Sequence, residues 1–255
     1  MQSFGRQFTV LASVDSTNNY AMQQVHARLA KHGDAWLALE QTKGKGQRNK
    51  HWVTKAGENI TMSIVAEPFF LPPTNSFMLV ATVALAIFDF FKHFAGDKTA
   101  IKWPNDIYWG DRKAVGILIE NVIRDKKWLY AIIGTGININ QEEFGNHNAT
   151  SLFIATGVKN DVIALAKQLC VFLEKRYEQL KNGDYASILS GYNNSMYKLG
   201  KTVRFKKDNI IFDALIKGVT ADGLLIVDSG KEELFAWGSV EWMTAAHVNG
   251  ENENR

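Results

Sequence analysis

The run from Phe77 to Phe91, FMLVATVALAIFDFF, restricts this chain more than any other segment. Asp89 interrupts it, and it falls short of the roughly 20 apolar residues a membrane span needs. It reads as a buried helix, part of a helix expected over residues 75–94, and such a helix needs a fold large enough to cover it. The chain has 255 residues, 46% apolar and 22% charged. That is room for one large domain plus a small one, and a core of this size needs no covalent staple. Cys170 is the single cysteine, which excludes an intramolecular disulfide and a cysteine-based zinc site and points to a reducing compartment. It shares a helical face with Ile163, Ala166, Leu169 and Leu173 over 161–180, where a cysteine packs as a small apolar side chain. No charged segment followed by an apolar one opens the chain, so no secretory signal is expected.

Other elements follow from local pattern. Strands are expected over 8–14, 36–40, 60–66, 99–103, 114–123 and 128–133, with Asp125-Lys126-Lys127 turning the last pair. Asp15-Ser16-Thr17 should cap a helix running through Tyr20, Ala21, Val25 and Leu29, because short oxygen side chains satisfy the first free N–H groups. Gly134-Thr135-Gly136 is expected to follow a strand, and a short helix to cover about 184–195. From Gly200 the pattern changes to short strands over 202–205, 210–217, 224–228 and 233–236, divided by Lys207-Asp208-Asn209, Ala221-Asp222-Gly223 and Ser229-Gly230. Short strands at that density suggest a small β-barrel. The polar end, 246–255, is expected to be disordered.

The net charge of +3 is too small to argue for nucleic acid, but it is uneven. Residues 42–55 carry Lys43, Lys45, Arg48, Lys50 and Lys55 with no acid, and residues 198–207 carry Lys198, Lys201, Arg204, Lys206 and Lys207. Within the first block, Gly44-Lys45-Gly46-Gln47-Arg48 pairs close-approach glycines with cations, a combination suited to phosphate or carboxylate. It is not a P-loop, since Asn49 stands where the second glycine would fall and His51 follows Lys50. Alone it reads equally well as a solvated basic turn. Gly134-Thr135-Gly136-Ile137-Asn138 lacks the third glycine of a dinucleotide fingerprint, and two such glycines serve tight packing or a ligand.

Lys102-Trp103-Pro104-Asn105-Asp106, followed by Lys113-Ala114-Val115-Gly116 and ending at Glu120, is the sharper motif. Two lysines at the edges of apolar strands, with an aspartate between them, suit a site where negative charge develops on phosphorus, and Asp106 suits Mg²⁺. The six histidines are scattered, so no transition-metal cluster is expected.

With these motifs in order, the chain from about residue 8 to 243 resembles the biotin protein ligases. They are Ser16-Thr17-Asn18, then Gln41 with the Gly44–Arg48 loop and Trp52, then Lys102–Asp106 with Lys113 and Gly116, then Gly134–Asn138. The resemblance implies an α+β fold: a mixed sheet flanked by helices, like class II aminoacyl-tRNA synthetases, over 1–197, then an SH3-like barrel over 198–245. It implies that ATP and Mg²⁺ activate biotin as biotinyl-5′-AMP, which is transferred to a lysine of a biotin carboxyl carrier domain. By that carry-over Ser16, Thr17, Asn18 and Gln41, with Gly44, Gly46, Gln47, Gly116, Gly134 and Gly136, would hold biotin. Lys45, Trp52, Lys102, Asn105, Asp106 and Asn138 would serve ATP. Lys113, with Lys45 and Arg48, would be catalytic, and Asp106 would meet the metal. The basic loop would order over the intermediate and shield it from water.

The first strand begins near residue 8, leaving no room for the winged helix of some relatives, so no sequence-specific DNA binding is expected. A cytoplasmic enzyme with no membrane partner is expected. An exposed strand edge is open either to a weak homodimer or to the carrier domain. The alternatives are a lipoate or octanoate ligase or transferase of the same fold and, in a different class, a nucleic-acid-binding module; the second lacks aromatics in 42–51 for stacking bases. Lys45 and Gln47 stand where many family members have arginine. The loss of charge at Gln47 is expected to loosen the hold on the adenylate, so Gln47→Arg should slow its release; an unchanged off-rate would set this idea aside.

Overall fold

The computed structural model describes residues 3–243, so the polar end expected to be disordered lies outside the described residues. In chain order, strand β1 (Phe8–Leu11) leads to helix α1 (Thr17–His26), then β2 (Ala35–Ala38) and β3 (Asn59–Ala66). The apolar run forms the middle of α2 (Ser76–Ala95). Strands β4 (Thr99–Lys102), β5 (Asp106–Trp109), β6 (Arg112–Arg124) and β7 (Lys127–Asn138) follow, then helices α3 (Leu152–Thr156), α4 (Val162–Lys181) and α5 (Tyr185–Asn194). The chain then enters β8 (Thr202–Lys207), β9 (Ile210–Val219), β10 (Leu225–Asp228), β11 (Glu232–Phe235) and β12 (Glu241–Trp242).

The first seven strands make one mixed sheet in the order β1-β2-β3-β7-β6-β5-β4, with only the β1–β2 pair parallel. Helices cover both faces. Ile60, Met62, Ile64 and Ala66 of β3 point with Ile133 and Ile137 of β7 toward Leu79, Val83, Ala86 and Phe90 of α2. Val65 and Ile132 point the other way, with Trp36, toward Ala21 and Val25 of α1. This period-two division follows from the pleat of a strand. All eight residues of β3 are buried. Its polar members are buried because they are partnered: Thr61 Oγ1 donates to the Ala38 carbonyl at 2.6 Å, and Asn59 Nδ2 to Gln141 Oε1 at 2.6 Å. Helix α2 is long and apolar enough to cross a membrane, yet most of it is buried here against the sheet, α4 and α5.

The differences from expectation have local causes. Helix α1 stops at His26 because Arg28 turns to φ 61°, which leaves Leu29 68% exposed instead of on the helix face. Ser16 makes no side-chain cap bond. Gly134-Thr135-Gly136 lies within β7 rather than after it, since that strand pairs with β6 as far as Ile137 and with β3 as far as Asn138. Strands β5 and β12 and helix α3 are too short to show a period. Asp125 and Lys126 both take positive φ, as a two-residue turn between β6 and β7 requires.

The remaining strands form an antiparallel sheet in the order β11-β10-β9-β8-β12. Its buried face, with Ile216, Val219, Leu225 and Val227, joins the same apolar cluster as the large sheet, and hydrogen bonds to Trp103 and to Asn193 of α5 add to the contact. Trp103 Nε1 donates to the Gly223 carbonyl at 2.9 Å, and the Val219 N–H donates to Asn193 Oδ1 at 2.7 Å. A Cβ at Gly223, whose φ is 84°, would run into the Phe77 ring.

His32 packs against the rings of Phe4 and Tyr177, which also touch each other, and its Nδ1 accepts the Glu67 N–H at 3.1 Å. Burial holds its pKa below 6.5, against the opposing pull of Glu67 and Glu174. The folded state therefore binds this proton more weakly than the unfolded chain. The associated stability is present above the unfolded pKa, begins to be lost as pH falls below it, and is gone once pH has fallen through the lower folded pKa. The urea midpoint should fall between about pH 7.5 and 5.5, and His32→Gln, which does not titrate, should flatten part of that fall.

Candidate active site

On the α1 face of the large sheet the central strands carry small or polar residues in register. Gly116 of β6 lies opposite Gly136 of β7, Leu118 opposite Gly134, and Gly134 opposite Ser63 of β3. With so little side chain there, a cleft of about 930 Å³ opens above the sheet. Its walls are the start of α1, the basic loop, the β4–β5–β6 segment, residues 144–149, and the end of the small sheet at Trp237, Val240, Glu241 and Trp242.

One end is a hydrogen-bonding floor. The Thr17 N–H and Oγ1 donate to Gln41 Oε1 at 2.8 and 3.1 Å. Ser63 Oγ lies 2.8 Å from Thr17 Oγ1 and 2.6 Å from Asn18 Oδ1. Asn18 Nδ2 donates to Glu120 Oε2 at 2.7 Å, and Glu120 Oε1 receives Lys45 Nζ at 3.3 Å. A Cβ on Gly134 would overlap the Asn18 amide, so the glycine is what lets Asn18 reach this network. Ser16, 2% exposed, adjoins the same floor. In the sequence Glu120 stands only as the last residue of the lysine motif. Its place is visible in retrospect from parity, since it falls on the same strand face as Gly116 and Leu118.

The other end is cationic. Lys102 of β4 pairs in register with Asp106 of β5, and Asp106 with Gly116. Lys113 Nζ lies 2.8 Å from Asp106 Oδ1, with the two side chains 31% and 27% exposed. Lys102 Nζ donates to Tyr108 Oη at 3.0 Å and lies 5.4 Å from the Trp242 ring centre. Burial lowers its pKa to about 8, helped by Lys113 and Lys50 and opposed by Asp106. The Lys113 main chain is fixed on both sides: its N–H donates to the Asn148 carbonyl at 3.1 Å, and its carbonyl accepts the Thr150 N–H at 2.9 Å. Asn105 Nδ2 donates to the Ile117 carbonyl and Asn138 Nδ2 to the Thr150 carbonyl, at 2.5 and 2.9 Å. Both amides thus hold the walls of the cleft.

Between the ends stands Trp52. A Cβ on Gly116 would come within 2.9 Å of the Trp52 ring and one on Gly136 would overlap the indole, so both glycines make room for it. The basic loop is folded: the Gly46 N–H donates to the Lys50 carbonyl at 2.7 Å, the Trp52 N–H to the Gly44 carbonyl at 2.9 Å, and Gln47 Nε2 to the Ile117 carbonyl at 3.3 Å. Gly44 has no space for a side chain beneath the Trp52 carbonyl. Arg48, at φ 54°, leaves the loop and reaches the small sheet. Every residue expected at the site lies in or beside this cleft. Among the described residues no three His, Cys, Asp or Glu side chains cluster as a metal site.

The model of the biotin/lipoate A/B protein ligase family matches residues 10–138. The chain is 30% identical over 207 residues to the bifunctional ligase/repressor BirA of Bacillus subtilis, covering 79% of this chain and 63% of that protein. It is 27% identical over 227 residues to the biotin–[acetyl-CoA-carboxylase] ligase of Paracoccus denitrificans, covering 86% and 92%. Among solved structures, the biotin protein ligase from Aquifex aeolicus in complex with biotin and ATP is similar with a TM-score of 0.80, over 94% of this chain and 100% of that one; at 21% identity what is shared is the fold.

A lysine of pKa about 8 is a cation below that pH and neutral above it. If polyphosphate binds at the cationic end, affinity for ATP should fall as pH rises from about 7 to about 9.5, where ATP itself no longer titrates. Equilibrium titration should show that step in the native protein, and Lys102→Met should bind more weakly at neutral pH and lack it.

Proposed function

Because the chain belongs to the biotin/lipoate A/B protein ligase family, we propose that it joins biotin to ATP as biotinyl-5′-AMP and passes the biotinyl group to a lysine of a biotin carboxyl carrier domain. The observation that carries this reading is the cleft with two unlike ends: a floor of amides and hydroxyls in the same cleft as a wall bearing Lys102, Lys113 and Asp106. A ureido ring offers both donors and acceptors to Ser16, Thr17, Asn18 and Gln41, and buried polar groups of that kind discriminate strongly against a ligand that leaves them unpaired. A dithiolane or an alkyl chain would do so, which favours biotin over lipoate or octanoate.

In the first step a biotin carboxylate oxygen attacks the α-phosphorus of ATP and pyrophosphate leaves with the electron pair of the broken bond. Lys113, beside Asp106 and 5.6 Å from the centre of the Trp52 ring that stands between the two ends, would bridge the carboxylate and an α-phosphate oxygen as negative charge builds there. Lys45 and Arg48 would meet phosphate from the loop side, and Lys102 from the strand side. Mg²⁺ fits if Asp106 supplies one carboxylate oxygen and phosphates and water the others, where the ion would neutralise phosphate charge. In the second step the neutral acceptor amine attacks the acyl carbon, an amide forms, AMP leaves and the amine gives up a proton. We read 1–197 as the catalytic unit, similar to class II aminoacyl-tRNA synthetases, and 198–245 as an SH3-like barrel; five short antiparallel strands in sequence support the latter.

Pyrophosphate release from ATP and Mg²⁺ in the presence of biotin, lipoate or octanoate tests this directly. Release should require biotin, and Lys113→Ala should lower it by roughly a hundredfold or more, the scale expected for removing a transition-state cation. Release with lipoate would move the activity to the sister group of the family. No release with any acid would leave a binding module.

A further inference from the structure

Arg48 projects from the basic loop onto the turn between β11 and β12. Its guanidinium carbon lies 4.7 Å from the centre of the Trp237 ring, within cation–π range. The next residue, Gly238, has φ 85°, and a Cβ there would coincide with the Arg48 guanidinium. The turn therefore presents a face and a notch: the indole supplies the attraction, and the bare glycine supplies the space. Arg48 in turn adopts φ 54°, a conformation a non-glycine residue holds at some cost unless contacts favour it. Trp237 is 47% exposed, so its ring is not needed to fill the core of the small sheet.

We propose that Trp237 and Gly238 form a seat for Arg48 that holds the basic loop closed over the cleft, making Trp237 a positioning residue for retention of the acyl-adenylate. This rests on the ligase reading above. The small sheet would then help determine how long the activated intermediate stays shielded from water. A half-exposed cation–π contact supports about a two- to fivefold change in the loop's opening equilibrium.

Two measurements test it. Limited trypsin cleavage after Arg48 and Lys50 reads loop opening with no ligand and no turnover. Trp237→Ala should raise the cleavage rate about two- to fivefold, Trp237→Phe should restore most of the protection, and the melting temperature should not move. Gly238→Ala, which keeps the indole but fills the notch, should also open the loop. The second reading is the off-rate of biotinyl-5′-AMP: it should rise in Trp237→Ala, and not rise further when Trp237→Ala is added to Arg48→Met. Unchanged cleavage in Trp237→Ala, or fully additive off-rates in the double variant, would overturn the seat. A native protein that forms no adenylate would overturn the ligase reading instead and leave the cleavage result standing.

Discussion

Ser63 and Ile64 are neighbours in sequence and lie on opposite faces of β3. Ser63 bonds to Thr17 and Asn18 in the floor of the cleft, while Ile64 packs into the main core. The same alternation continues across β7 and β6, where Gly134, Gly136 and Gly116 face the cleft. A strand separates its two faces without any extra element, so the sheet that anchors the apolar core also lines the cleft. A slip of one residue in the β3–β7 register would exchange the two sets, putting isoleucines in the cleft and serine and threonine against α2. The buried helix thus does more than fill space: by holding one face of the sheet it fixes which side chains the other face presents.

The charge distribution follows from that arrangement. Strands β4, β5 and β6 bring Lys102, Asp106 and Lys113 together, and each lysine is kept in place by a neighbour rather than left in solvent, Lys113 by Asp106 and Lys102 by Tyr108. The second basic block has a different fate. Lys198 pairs with Asp111 at 3.1 Å and Arg204 with Asp213 at 2.9 Å, at exposed positions where such pairs contribute little to stability and spend local charge that a polyanion would need.

Much of this was legible in the chain, for identifiable reasons. Helix α2 and the β6–β7 hairpin are long enough for their patterns to show, and the buried cysteine follows from helical spacing. The motifs of the cleft were visible because lysine, aspartate and glycine in a fixed order leave few physical readings. What was hidden depends on contacts between distant segments. Nothing local to Gly116 or Gly136 announces that Trp52 will lie on them, and nothing near Trp237 announces Arg48. Glu120 was on view and unassigned because its importance lies in reaching Asn18, over a hundred residues earlier. The strand β5 was missed because four residues after a proline turn have no period of their own.

The backbone of Lys113 is hydrogen-bonded to residues 148 and 150 on either side, and Asn138 holds Thr150 from below. The side chain proposed to meet the reacting atoms and the segment that closes the 144–149 wall are therefore one mechanical part. Just after β7 the segment is tied down at Asn140 and Gln141, which bond to Asn160 and Asn59, so length changes meet least resistance at the exposed Gly145 and Asn146. Beyond that point they would act on the lysine like a shim under a bearing, altering its height over the cleft without touching its chemistry.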